Sequence, residues 1–324
     1  MRRCGFSLWS WIIFVMGIST LQAETSFPVL QAVPWNGHKA ATTLTFDGAA
    51  PAYLDVVIPE LNRRQMRGTF FLIANQTDRK DEWRQAIKAG HEIGNLTLDC
   101  RHASDLSAGE ENGQVVGARN VLQKEFGIHL YSFAYPFGEV SPGLKKWAEK
   151  TCFIARGKTD GLVSPEDPNL DWLCLPAKVT LSSNGLKIYQ SWMDDAVGKG
   201  DWLIWAIGGV KEENLDQGLI SRQDLTKICD YLQTQDIWVG TLVEVGSYLR
   251  ALKLFRGADI LTIGSEETYR WMVPDHYPVG VILKVRFVQA NPSVQVWQKG
   301  ERIFPDDQGN YQVSFNEGKL NLRQ

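Results

Sequence analysis

From about Thr42 to Leu254, short apolar runs alternate with amphipathic stretches of helical period, and this alternation limits the fold more than any other feature. Thr43–Phe46, Thr69–Ile73, His91–Leu96, Tyr131–Tyr135, Cys152–Ala155, Cys174–Val179, Trp202–Ile207 and Ile237–Leu242 read as strands. Between them, Leu54–Arg64, Glu82–Lys88 and Gln114–Phe126 read as helices. In the last, Val115, Ala118, Leu122 and Phe126 share one face, and Gly127 suits the C-cap. Strands that alternate with helices pair in parallel and are covered by those helices. Two architectures satisfy this, a β/α barrel and an open doubly wound sheet, and both place chemistry at the C-terminal ends of the strands. Asp47, Leu96, Phe137 and Gly208 all fall at such ends, so they are expected around one mouth.

Beyond about Arg256 the period changes to two. Leu283, Val285 and Phe287 alternate with Lys284 and Arg286, Val294 and Val296 follow, and Tyr311, Val313 and Phe315 come after a Gln308-Gly-Asn310 turn. That pattern predicts a small antiparallel β domain with its own modest core over 256–324. At the other end, Arg2-Arg3, the apolar stretch Phe6–Ile18 and Leu21-Gln-Ala23 read as an export leader over 1–23. The stretch is short for a bilayer span, so no stable membrane insertion is expected. A 24–255 domain remains between the two, and the mature chain is expected to be extracytoplasmic, periplasmic or secreted.

The chain has 324 residues, is 44% hydrophobic and 22% charged, and carries a formal net charge of −3. Loss of Arg2 and Arg3 with the leader would make that −5, and no basic run offsets it, which argues against a nucleic-acid partner. Cys100, Cys152, Cys174 and Cys229 would remain, with three possible full pairings between which sequence does not choose. No Gly-x-Ser-x-Gly elbow, phosphate loop or dinucleotide fingerprint is present. His38, His129 and His276 lack any motif context.

Three segments carry the functional signal: Leu44-Thr-Phe-Asp-Gly48, Gly90-His-Glu-Ile-Gly-Asn-Leu-Thr-Leu-Asp-Cys100 and Phe133-Ala-Tyr-Pro-Phe-Gly138. In order and separation they resemble the motifs of the polysaccharide deacetylases, the NodB homology family. The likeness is to its bacterial branch with Phe-Ala-Tyr-Pro-Phe-Gly as third motif and a small terminal β domain. Trp35-Asn-Gly-His38, Arg67-Gly-Thr-Phe-Phe71 and Asp81-Glu-Trp83 extend the match across about 34–254. The resemblance implies a distorted β/α barrel and a divalent metal that polarises an acyl oxygen and activates water. A carboxylate would act as base and a His as acid.

The positions that would carry this chemistry are largely replaced. Aligned without gaps, Asp47 stands where the family has its base, while Gly48, Leu96 and Cys100 stand where it has metal ligands and Gly208 where it has the acid His. A one-residue gap would instead make Asp47 a ligand, but Pro51 and Leu54-Asp-Val favour the ungapped register. The Arg that commonly opens the third motif is Ala134 here, as in that branch. Glycine and leucine offer no lone pair, so the expectation is a catalytically silent fold with Asp47 as a vestigial base and no cofactor. Zinc or another divalent metal would be expected only if the site is rearranged, with Cys100 and His102 as candidates. Trp35, Tyr135 and Trp172 are candidate walls of a groove for an acetylated polysaccharide or oligosaccharide. The competing readings are an active metal-dependent hydrolase of N-acetyl or ester bonds and an interaction protein whose barrel presents the β appendage. His91 reads as a structural residue of the Gly-His-Glu-Ile-Gly turn.

Overall fold

The computed structural model describes residues 27–181, 183–211, 219–289 and 293–324; the expected export leader lies outside them. The strands in chain order are β1 (Leu30–Ala32), β2 (Ala40–Asp47), β3 (Thr69–Leu72), β4 (Glu92–Asn95), β5 (Ser132–Ala134) and β6 (Ile154–Arg156). Next come β7 (Lys178–Val179), β8 (Trp202–Ile207), β9 (Gly209–Lys211), β10 (Leu219–Ser221) and β11 (Ile237–Val239). The C-terminal strands are β12 (Asp259–Ile263), β13 (Glu266–Arg270), β14 (Ile282–Phe287), β15 (Gln295–Gln298), β16 (Glu301–Ile303), β17 (Tyr311–Ser314) and β18 (Lys319–Arg323).

The central sheet has eight strands in the order β6-β5-β4-β3-β2-β8-β7, with β11 also on β2. All of its pairings are parallel. Each corresponds to one of the apolar runs, because strands buried on both faces need continuous apolar text rather than alternation. A single parallel bridge, Arg156 to Leu175, joins β6 to the segment that runs into β7, so the sheet curls most of the way to closure. This is a distorted β/α barrel, and the open-sheet alternative is set aside. The helical reading of Gln114–Phe126 also stands: Val115, Ala118, Leu122 and Phe126 are all buried, and Gly127 takes the left-handed conformation at φ 66° that a C-cap glycine allows.

The C-terminal strands form two antiparallel sheets, β1-β14-β17 and β12-β13-β18-β15-β16. The N-terminal β1 is part of the first, with Leu30 opposite Phe287 and Ala32 opposite Val285. The expectation of a separate core is corrected here. Leu30, Trp271, Leu283, Val285 and Val313 belong to one apolar cluster with Leu249, Leu252 and Phe255 of helix Leu242–Arg256, and with Ile154 and Ile204 of the barrel. A β layer of this size buries too little by itself, and sharing a core with the barrel removes that shortage. Among the described residues, no helix is long and apolar enough to cross a membrane. Cys100, Cys152, Cys174 and Cys229 are all free thiols.

Candidate functional site

Parallel pairing brings the C-terminal ends of β2, β4, β5, β6 and β8 to one side of the barrel, and the motif residues gather there. Asp47 closes β2. Its carboxylate is held by the guanidinium of Arg156, which closes β6, and the Tyr53 hydroxyl donates to the Asp47 carbonyl at 2.8 Å. Burial pushes the Tyr53 hydroxyl up, and the Asp47 charge adds to it, so this tyrosine stays a donor. Arg156 is 1% exposed and its guanidinium lies 5.2 Å from the Phe71 ring centroid. Its Nε and Nη1 are buried without a hydrogen-bond partner.

The register explains why Arg156 is there. Ala134, which stands where the family commonly has its third-motif arginine, is directly opposite Arg156 across the β5–β6 ladder. The guanidinium that faces the base position therefore comes from the next strand. The motif reading missed it, although one signal was available: a charged residue that ends an apolar buried run at the mouth.

The loop after β4 keeps the scaffold of its motif. Asn95 donates from Nδ2 to the Val115 carbonyl at 2.9 Å and accepts at Oδ1 from the Thr97 amide at 2.9 Å. Thr97 Oγ1 accepts from the Cys100 amide at 3.1 Å. Leu96, at one ligand position, is 3% exposed and packs in the main core with Phe71, Ile73 and Ala134. At Gly48 an added Cβ would meet nothing within 4 Å, but its φ of +91° disfavours any other residue. Gly208 lies exposed between β8 and β9, with no side chain to donate a proton.

The remaining donors do not fit a divalent cation. The Asp47 carboxylate is engaged by Arg156. Burial pushes the Cys100 thiol up to about 11, with the nearby Asp47 charge adding to it, so without a metal the sulfur stays a thiol. His102 bonds through Nδ1 to Glu139 Oε1 at 2.8 Å and stacks on Phe137, centroids 3.8 Å apart, which leaves one nitrogen. Among the described residues no group of three or more His, Cys, Asp and Glu is placed to hold a metal ion.

The expected aromatic walls lie elsewhere. Trp35 is 2% exposed, with its indole N–H donating to the Gly200 carbonyl at 2.7 Å. Tyr135 is 1% exposed, and its hydroxyl donates to the Leu173 carbonyl at 2.8 Å. Trp172 stands beside Cys152 and Phe153, where β6 begins, at the opposite end of that strand from Arg156. None of the three lines the mouth at Asp47. The ring that does stand open there is Phe137, 49% exposed, which follows β5 and has φ 54°. Lys158, past the end of β6, packs against Gly138. His91 accepts from the Gly68 amide at 3.1 Å through Nδ1, and its Nε2 bonds Asn62 Oδ1 at 3.1 Å, tying the segments before β3 and β4 to helix Ile58–Arg63 at the other end of the barrel.

The curled parallel barrel and its three-segment mouth have counterparts among known proteins. Residues 36–153 match the family described as Polysaccharide deacetylase. It is 29% identical over 130 residues to the peptidoglycan-N-acetylglucosamine deacetylase of Bacillus cereus, and 28% identical over 121 residues to a Bacillus subtilis protein named Uncharacterized protein YlxY. The aligned parts are 40% and 37% of this chain, and they span 60% and 36% of those relatives. Among solved structures, a CE4 family pseudoenzyme from Bacillus anthracis aligns at a TM-score of 0.46 and 16% identity, over 64% of this chain and 65% of that one.

Proposed function

We propose that this polysaccharide deacetylase-like chain is a non-hydrolytic, metal-free member of its family that uses the barrel mouth to bind acetylated glycans outside the cytoplasm. One observation carries the reading: the carboxylate at the base position is tied to buried Arg156, while the neighbouring ligand positions hold a glycine, a core leucine and a cysteine. Loss of one general acid or base commonly lowers a rate by about 10²–10⁴, and loss of the metal removes further charge stabilisation. What remains suits binding. Phe137 offers a sugar an exposed ring, which Glu139 holds through the stacked His102, and Lys158 lies beside it. The B. cereus relative is named for N-acetylglucosamine in peptidoglycan, which supports an N-acetylated glucosamine polymer as the ligand class.

The test is calorimetry of the protein with chitotetraose, beside an acetate-release assay run with and without added Zn²⁺ or Co²⁺. The expected result is binding that weakens severalfold in Phe137→Ala, with no acetate under any condition. Acetate release that depends on added metal and is lost in Cys100→Ser would overturn the reading in favour of a rearranged hydrolase. Absence of glycan binding by the folded full chain would overturn the reading in favour of the interaction protein.

A further inference from the structure

We propose that a cavity at the opposite end of β6 from Asp47 binds a small zwitterion of the amino-acid or short-peptide class, with Arg250 taking its carboxylate. The cavity measures about 430 Å³ and lies where Phe153, Trp172, Arg250, Glu149, Asp171 and Asp275 converge. It belongs neither to the deacetylase mouth nor to any motif.

Arg250 is the observation that points to a ligand. Its guanidinium lies 5.3 Å from the ring centroid of Phe153 and 5.3 Å from that of Trp172. It makes no ion pair or hydrogen bond with any described residue. Burial weighs against its charge, and protein interiors ordinarily answer such a group with a carboxylate. A guanidinium without a hydrogen-bond partner keeps the planar fork of donors that can grip two carboxylate oxygens at once. The wall is pinned as well. Lys253, on the same helix as Arg250, donates to the carbonyls of Pro165 and Asp167 at 2.7 Å each, and Arg256 pairs with Glu166 at 2.8 Å.

The rim selects among anions. Asp171 is paired with Lys145, but Glu149 and Asp275 are exposed and carry no such partner among the described residues. A phosphate, at about −1.5 to −2 charge, would meet these carboxylates unfavourably. A single carboxylate that reaches Arg250 while an ammonium meets the acidic rim satisfies both signs. The volume has room for a residue or two.

Calorimetry with L-alanyl-L-alanine, N-acetyl-L-alanine, L-alaninamide and inorganic phosphate tests this on the full chain. The dipeptide is expected to bind in the millimolar range or tighter, N-acetyl-L-alanine more weakly, and the amide and phosphate not measurably. Arg250→Gln should weaken the dipeptide by roughly tenfold or more, since charge-assisted bonds are lost. Should that variant fail to fold, Asp275→Asn with Glu149→Gln decides. These exposed changes should weaken the dipeptide severalfold and leave N-acetyl-L-alanine unaffected. Tighter binding of phosphate than of dipeptide, no binding of either, or a dipeptide indifferent to these substitutions would overturn the proposal.

Discussion

Arg156 shows how one side chain can take over a charge role across a sheet. It meets Asp47 from the strand next to the one that would ordinarily supply an arginine, and with 1% exposure it has no water to fall back on. Removing one member of a buried ion pair leaves the other uncompensated, at a cost of about 3–5 kcal/mol. Arg156→Met is therefore expected to lower the urea-unfolding free energy by about 3 kcal/mol. Asp47→Asn should be similarly costly, and the double variant Asp47→Asn, Arg156→Met should recover most of the loss. Additive losses in the double variant would mean that the pair is not coupled. Little of this was legible beforehand. The motif text located Asp47, Gly48, Leu96 and Cys100, because those identities decide what chemistry a position can do. It did not report which way Trp35, Tyr135 and Trp172 face, since an aromatic ring is equally suited to a core and to a groove wall.

At the scale of elements, the eight parallel strands were readable because burial on both faces writes continuous apolar runs. β1 was not, because three residues, Leu30-Gln-Ala32, gain their strand character only from a partner far along the chain. The Gly-His-Glu-Ile-Gly turn was readable as scaffold, and the structure supplies the reason. Gly68 donates to His91 Nδ1, so the ring must accept there and carry its proton on Nε2, which faces Asn62. Burial, with Arg67 adding to it, lowers its pKa from 6.5 to about 4. The unfolded chain then binds more protons than the folded one between those values, so stability is retained above about 6.5 and falls as pH drops toward 4. Linkage sets the loss between pH 7.5 and pH 5 at about 2 kcal/mol. Urea unfolding of wild type and His91→Gln across that range measures it: the wild type should show the slope and the variant a flatter one. Equal slopes would assign the acid sensitivity to other groups.

For the whole molecule, the shared core makes the barrel and the β layer a single thermodynamic unit. A chain ended at residue 256 would bare Leu249, Leu252 and Phe255 and leave β1 without β14. It is expected to lose its cooperative thermal transition and to aggregate, whereas the full chain melts in one step. A sharp melt of the truncated chain would restore the picture of an independent appendage. The β1–β14 pairing has a further consequence for synthesis. Leu30 is made early but finds Phe287 only when nearly the whole chain has been made, so strand β1 must wait unpartnered through most of translation. Closure over so long a loop favours late, slow completion. Resistance to protease should therefore appear only once the strand that carries Phe287 is available to β1, wherever in the cell that happens.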